Sequence, residues 1–159
     1  MAEEEKNFAL QKLYIKDISF ETPNSPAIFT HAWEPEVEVS LASNAQILQE
    51  NLFEVALTIT VTVKIAEATA YLAEITQAGV FTLSGFEQQE LSQMVGSYCP
   101  NILFPYGREV ISDLVTKGGF PPMLLAPVNF DALYMQHMQK LQEEGQAGNT
   151  AATHNKTLN

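Results

Sequence analysis

Basic residues are scarce in this chain. Eight Lys and Arg stand against 19 Asp and Glu, for a formal net charge of −11. Such a chain repels polyanions, so no nucleic acid is expected as a partner. Cys99 is the single cysteine, so no internal disulfide can form and a reducing, cytoplasmic setting fits. No apolar run approaches the ~18–20 residues of a membrane helix. The acidic start, Met1–Lys6, has no apolar signal segment after it, so the protein is not expected to be exported or to insert into a membrane. His31, His137 and His154 lack metal-ligand spacing, and with no paired cysteines a zinc site is not expected. Gly118-Gly119 lacks the spacing and the lysine-serine ending of a phosphate loop. No serine sits in a nucleophile elbow. The many carboxylates fall on strands and exposed helix faces, with no segment that buries or pairs two of them. The expectation is therefore a non-enzyme without metal or cofactor.

Strand patterns, by contrast, are plentiful. Leu13–Glu21 alternates, with Tyr14, Ile18 and Phe20 on one side and Asp17, Ser19 and Glu21 on the other. Pro23–Pro26 breaks it. After Pro35, Val37, Val39 and Leu41 oppose Glu36, Glu38 and Ser40, and Ala42–Glu50 reads as a connection of turn-like residues. Leu52–Ile65 is the clearest strand: Phe53, Val55, Leu57, Ile59, Val61, Val63 and Ile65 form one face, and threonines dominate the other. After a turn at Ala66–Thr69, Ala70–Leu83 repeats the pattern, interrupted at Gln77 and Gly79 in the manner of a bulge or a close backbone approach. Alternation of this kind belongs to an antiparallel sheet covered on one side.

Past Gly85 the period becomes helical. Phe86–Val95 predicts a short helix ending near Gly96. Pro100 suits the first turn of the next helix, and Pro105 should tighten or kink it. Leu103, Val110, Ile111 and Leu114 recur at helical spacing, with Gly107 on the same side where a second helix could approach. Gly118-Gly119 stops this helix. Phe120–Pro127 then forms a loop with almost no polar side chains, which must be covered by its own domain, a subunit or a client. Asn129 is a suitable N-cap for the last helix, in which Phe130, Leu133, Tyr134, His137, Met138 and Leu141 share a face. The fold class is α+β: a four-stranded antiparallel sheet with helices packed on one face. Residues 1–144 form a single domain with a mobile acidic leader at 1–7, and residues 145–159 form a disordered tail.

The runs CPNILFPYGRE, GGFP and LAPVNFDALY, together with YIKDISFETPNSP and LFEVALTITVTV, resemble the SecB family of bacterial protein-export chaperones. The likeness covers roughly residues 8–138. It implies a homotetramer built as a dimer of dimers and an ATP-independent, cytoplasmic chaperone. That chaperone would hold unfolded precursor proteins in a translocation-competent state and deliver them to the SecA ATPase. Strand two departs from relatives in carrying Glu38 and Ser40, the loop doubles its proline at Pro121-Pro122, and the tail lacks an acidic ending.

Two groups of residues follow. Asp17 and Glu21 share one side of the first strand, and Leu72 and Glu74 belong to the outward part of another. A surface of acids around an apolar centre suits a short basic partner, and the resemblance assigns these four to the basic, zinc-bearing C-terminal tail of SecA. The zinc would belong to that partner. The second group is apolar: Trp33, Val37, Val39, Leu41, Phe120, Met123, Leu125, Phe130, Leu133 and Tyr134. One strand face suffices to cover two helices, so apolar surface is left over, and aromatic and methionine side chains repack readily against varied partners. The resemblance assigns this group to a client-binding groove. Two other functions stay open. A SecB-like chaperone of a toxin–antitoxin system would fit a weakened acidic face. A small-ligand-binding or isomerase-type α+β domain would need a convergent acid–base pair.

Overall fold

The computed structural model describes residues 4–154, with side chains described through Gly148. Four antiparallel strands form one sheet in the order β1-β4-β3-β2, with β1 at Asn7–Glu21, β2 at Glu36–Gln49, β3 at Leu52–Ile65 and β4 at Ala68–Ser84. The two central strands are consecutive in sequence. Their hairpin turns on Ala66 and Glu67, both at positive φ, and the β2–β3 hairpin turns through Asn51, also at positive φ. Positive φ at both turn residues, as at Ala66-Glu67, matches the twist of the strands it joins.

The first two strands are longer than their patterns suggest. β1 begins at Asn7, inside the expected mobile leader, and Lys6 ion-pairs with Glu90. β2 continues through Ala42–Gln49, because the residues there pair with Leu52–Thr58 of β3, with one register shift between Ile47 and Gln49. Register, not side-chain type, makes this stretch a strand. The irregularity expected at Gln77 and Gly79 lies on the partner strand instead: β1 shifts register between Leu10 and Lys12 and between Ile15 and Asp17. Gly79 is nonetheless required, since a Cβ there would stand 2.8 Å from the Phe81 ring. Gln77 is buried opposite the second bulge, where its amide donates to the Tyr14 carbonyl at 3.1 Å.

The helices lie on one face of this sheet. α1 (Gln88–Gln93) does not end at Gly96. It passes through a π-turn at Met94–Tyr98 into α2 (Cys99–Lys117). Within that turn the Cys99 N–H reaches the Met94 carbonyl five residues back. The ladder thus slips by one residue immediately before Pro100, which has no N–H to give. α2 packs on β4 and β3 through Leu103, Phe104, Gly107, Ile111 and Val115, all buried. Gly107 admits the sheet, not a second helix: a Cβ there would lie 2.8 Å from Cδ1 of Ile59. The helix closes as expected at Gly118-Gly119. Gly119 takes φ +86°, its N–H bonds to the Thr116 carbonyl, and the Phe120 N–H bonds to that of Val115, the paired capping bonds of a left-handed helix end.

The loop after Gly119 is covered in part by its own domain. Phe120 packs against Phe29, Tyr71 and Trp33 with ring centroids 5.0–5.9 Å apart, while Leu124 stays 76% exposed. Asn129 caps α3 (Phe130–His154), accepting from the Ala132 N–H at 3.1 Å. α3 continues well past Gly145, where composition predicts a disordered tail; Gly145 and Gly148 have no neighbour within 4 Å of an added Cβ. The last five residues of that expected tail, 155–159, lie outside the described residues.

Candidate functional site

The face of the sheet that carries the helices is only half covered. Beneath α2, the inward residues of β3 and β4 are buried, among them Leu57, Ile59, Val61, Tyr71, Ile75 and Phe81. The register puts Val37, Val39, Leu41, Ser43, Ala45 and Ile47 of β2 on that same face, opposite Val63, Val61, Ile59, Leu57, Val55 and Phe53. The Val37 end of this row is open: Val37 is 48% exposed and Val39 43%. A trough of about 710 Å³ runs between β2 and α3, bounded by Leu41–Ala45 on one side and by Leu133, Tyr134, His137, Met138 and Leu141 on the other. Ser92, Val95 and Gly96 belong to its lining as well.

Local chemistry holds α3 at this distance. The Asn129 cap fixes where the helix starts. The Phe130 ring sits 5.7 Å from that of Phe104 on α2. Ser97 donates to Asp131, and the Tyr134 and Ser92 hydroxyls share a hydrogen bond of 2.9 Å. The trough contains no carboxylate, although the chain has 19. A wall of apolar, amide and hydroxyl groups, with one lysine and one histidine, accepts extended chain without demanding a charge from it.

Among the residues singled out for a groove, Leu41, Phe130, Leu133 and Tyr134 line this trough. Trp33, Val37 and Val39 extend the same exposed surface toward the loop, where Met123 is half-buried and accepts a weak bond from the Tyr71 hydroxyl at 3.6 Å. Phe120, Leu125 and Phe130 expose little of themselves, although Phe130 reaches the trough wall. They are 5%, 7% and 6% exposed and belong to the core, because the loop and the start of α3 bury their large side chains against Tyr71 and Phe104. Val95, Met138, Leu141 and the Ser43–Ala45 stretch were missed. The small side chains of Ser43 and Ala45 leave room at the trough floor, yet they gave no hydrophobic signal. Met138 and Leu141 belong to the α3 stripe legible in the sequence but not to the group singled out for the groove.

The opposite, outward face is polar and sets acids in rows. Glu21 pairs with Leu72, Ser19 with Glu74, and Asp17 with Thr76. Thr62, Thr60 and Thr58 of β3 continue these rows. Asp17, Glu21 and Glu74 are exposed around the exposed Leu72, so the four singled-out residues do come together. Diagonal neighbours in such a ladder stand roughly 7–8 Å apart. Thr60 donates to Glu74 at 3.1 Å.

Tyr14 corrects one sequence expectation. The bulge between Ile15 and Asp17 turns it to the acidic side, away from Ile18 and Phe20. There its hydroxyl donates to Glu54, which also accepts from Lys16 at 2.7 Å. These two hydrogen bonds, that of Lys16 first, hold the Glu54 carboxyl below its usual range. Burial, then the neighbouring Glu54, push the Tyr14 hydroxyl up to about 12. Elsewhere, burial raises the Cys99 thiol to about 12, so it stays protonated and inert near neutrality. Among the described residues no cluster of three or more His, Cys, Asp or Glu could hold a metal ion, and no helix is long and apolar enough to cross a membrane.

Residues 1–141 match the family described as preprotein translocase subunit SecB. The chain is 68% identical over 142 residues to the protein-export protein SecB of Methylococcus capsulatus, covering 89% of this chain and 92% of that one. It is 56% identical to the protein-export protein SecB of Nitrosococcus oceani, covering 91% and 89%. Among solved structures, it is similar to a Mycobacterium tuberculosis SecB-like chaperone in complex with a peptide from an antitoxin. The TM-score is 0.63 at 16% identity, over 76% of this chain and 90% of that one. At that identity the likeness concerns the fold.

Proposed function

The chain belongs to the SecB family, and from that premise we propose how its two faces divide the work of a chaperone for protein export. The trough and the exposed inner face of β2 take segments of unfolded preprotein. Each buried apolar group contributes roughly 25 cal/mol per Å² removed from water. A single short segment binds weakly, and several on one surface bind tightly through effective concentration. A folded client has no such segments to offer, so selection is by folding state and needs no nucleotide. The observation that carries this reading is the uncovered inner face of β2 beside an unfilled trough.

The outward face, with Asp17, Glu21, Leu72 and Glu74, docks the basic, zinc-bearing tail of SecA. What supports this is the register that gathers three acids around one exposed leucine. Assembly as a cytoplasmic dimer of dimers belongs to the same reading. It is supported by the free edge of β1, where Leu13, Ile15 and Ile18 face the helix side and remain exposed.

The test asks whether the purified protein keeps a slow-folding precursor unfolded without nucleotide, with native mass measured alongside. The expected result is arrest of folding by an assembly of four chains. Folding at the uncatalysed rate in a molar excess of the protein would sink the proposal.

A further inference from the structure

Tyr134 occupies a special position in the trough wall. Its ring rests directly on Gly96: a Cβ built there would stand 2.6 Å from Cδ2 and 2.7 Å from Cε2. Its hydroxyl is held by Ser92 at 2.9 Å, one helical turn before Gly96. Both partners lie where α1 runs into the π-turn, and π-turns inside helices concentrate at functional positions. One turn back along α3, Asp131 is tied to Ser97 of the same π-turn. The ring is therefore clamped at its edge and at its tip. The space it does not fill is the trough.

We propose that Gly96 and Ser92 are positioning residues for client capture, seating the Tyr134 ring against the π-turn and so setting the shape of the trough. This rests on the trough being where client segments bind. A methyl group at Gly96 cannot be absorbed locally, because what it meets is a flat ring with only two rotatable bonds. The ring, or α3 with it, must shift from its seat on the π-turn, and because both sides of that contact line the trough, the trough changes shape. Loss of the Ser92 hydroxyl leaves the edge contact but frees the tip.

The experiment uses the full chain and, as probe, a test protein kept unfolded by reduction and carboxymethylation. Gly96→Ala is expected to bind it about tenfold more weakly. In a Tyr134→Leu background the same change is expected to weaken binding less than about twofold, since a smaller side chain makes room for the methyl group. Ser92→Ala and Tyr134→Phe are each expected to cost about two- to threefold, and no more when combined, because they remove the same hydrogen bond. Wild-type binding by Gly96→Ala, or an equal loss in both backgrounds, overturns the proposal. The Tyr134 ring resonances, read without any client, separate this from the broader reading. If they move in Gly96→Ala but the native chain holds no unfolded probe, the ring is seated as argued and the client role of the trough fails. If they do not move, the seating itself is refuted.

Discussion

The central pair of strands and the flanking pair share one sheet and one alternating pattern, yet they end in opposite environments. Val61 of β3 is fully buried, and its partner in the ladder, Val39 of β2, is 43% exposed. Ile75 of β4 is fully buried, and its partner Ile18 of β1 is 47% exposed. The cause is width. A helix is roughly 10 Å across, strands are spaced about 4.8 Å apart, and a single α2 therefore covers two strands of four. β3 and β4 lie beneath it; β1 and β2 do not. Apolar surface remains on this domain because its sheet is wider than its cover.

That comparison is sharpened most by cutting one residue from each side of it. Ile59→Ala removes a buried side chain that touches Gly107 of α2 and is expected to lower the unfolding free energy by about 3 kcal/mol. Val39→Ala, on the edge strand β2 and largely facing water, is expected to cost less than about 1 kcal/mol. For binding of an unfolded segment the order should reverse. Val39→Ala weakens capture by a few-fold, while Ile59→Ala, in the fraction that stays folded, leaves it unchanged. Urea melts and a binding titration on the same samples check both halves. Equal stability losses would erase the distinction between covered and uncovered strands.

This distinction also explains what could be read in advance. β3 was legible end to end because both of its faces are decided locally, apolar toward the helix and threonine toward water. Ala42–Gln49 of β2 was not, because its side chains carry no alternation and only pairing with β3 makes it a strand. Gly96 carried the usual signal of a helix end, but the true reason for a glycine there is the Tyr134 ring, 38 residues on. The acidic group comes together because period two sets each pair on one side of its strand and the β1–β4 register lays the two pairs side by side. The apolar group divided, because periodicity does not tell a core aromatic such as Phe120 from an open one such as Trp33.

The two faces can be set against each other next. Reversing charge at Asp17, Glu21 and Glu74 together is expected to weaken binding of a basic, zinc-bearing tail peptide by at least about 30-fold. Capture of an unfolded protein should be unchanged. Because these acids are exposed, the effect should shrink as salt rises. Loss of both activities at once would mean that the faces are not independent.

Alkali probes chiefly the covered region, with a smaller effect. Burial raises Cys99 from 9.0 and Tyr71 from 10.0 to about 12, and Tyr14 rises from 10.0 to about 12 on the outward face. The folded state thus holds protons that the unfolded state gives up first. Stability is full below about pH 9 and declines as pH climbs toward 12. Cys99→Ala should remove the earliest part of that decline, between about pH 9 and 10, as read from urea midpoints across a pH series. An unchanged onset would place the thiol in water and contradict its burial.

The smallest effect belongs to the outward face. Lys16 and Glu54 ion-pair at 2.7 Å, but Lys16 is half exposed, and such pairs contribute roughly 0–1 kcal/mol. Lys16→Met is therefore expected to cost about 0.5 kcal/mol at neutral pH. Its clearer signature is in acid. The carboxyl of Glu54 is depressed, so its contribution to stability is present above the ordinary carboxylate range and is lost as pH falls through the lowered value. Without Lys16, the largest cause of that depression, the acid-dependent loss should be smaller and should finish at a higher pH. A cost of several kcal/mol would instead make the Tyr14–Glu54–Lys16 cluster a structural clamp. The outward face would then resemble the core beneath α2, and its acids could not be altered for docking without disturbing the fold. A small cost leaves the sheet with one face that holds the domain together and one whose charges are free to serve a partner.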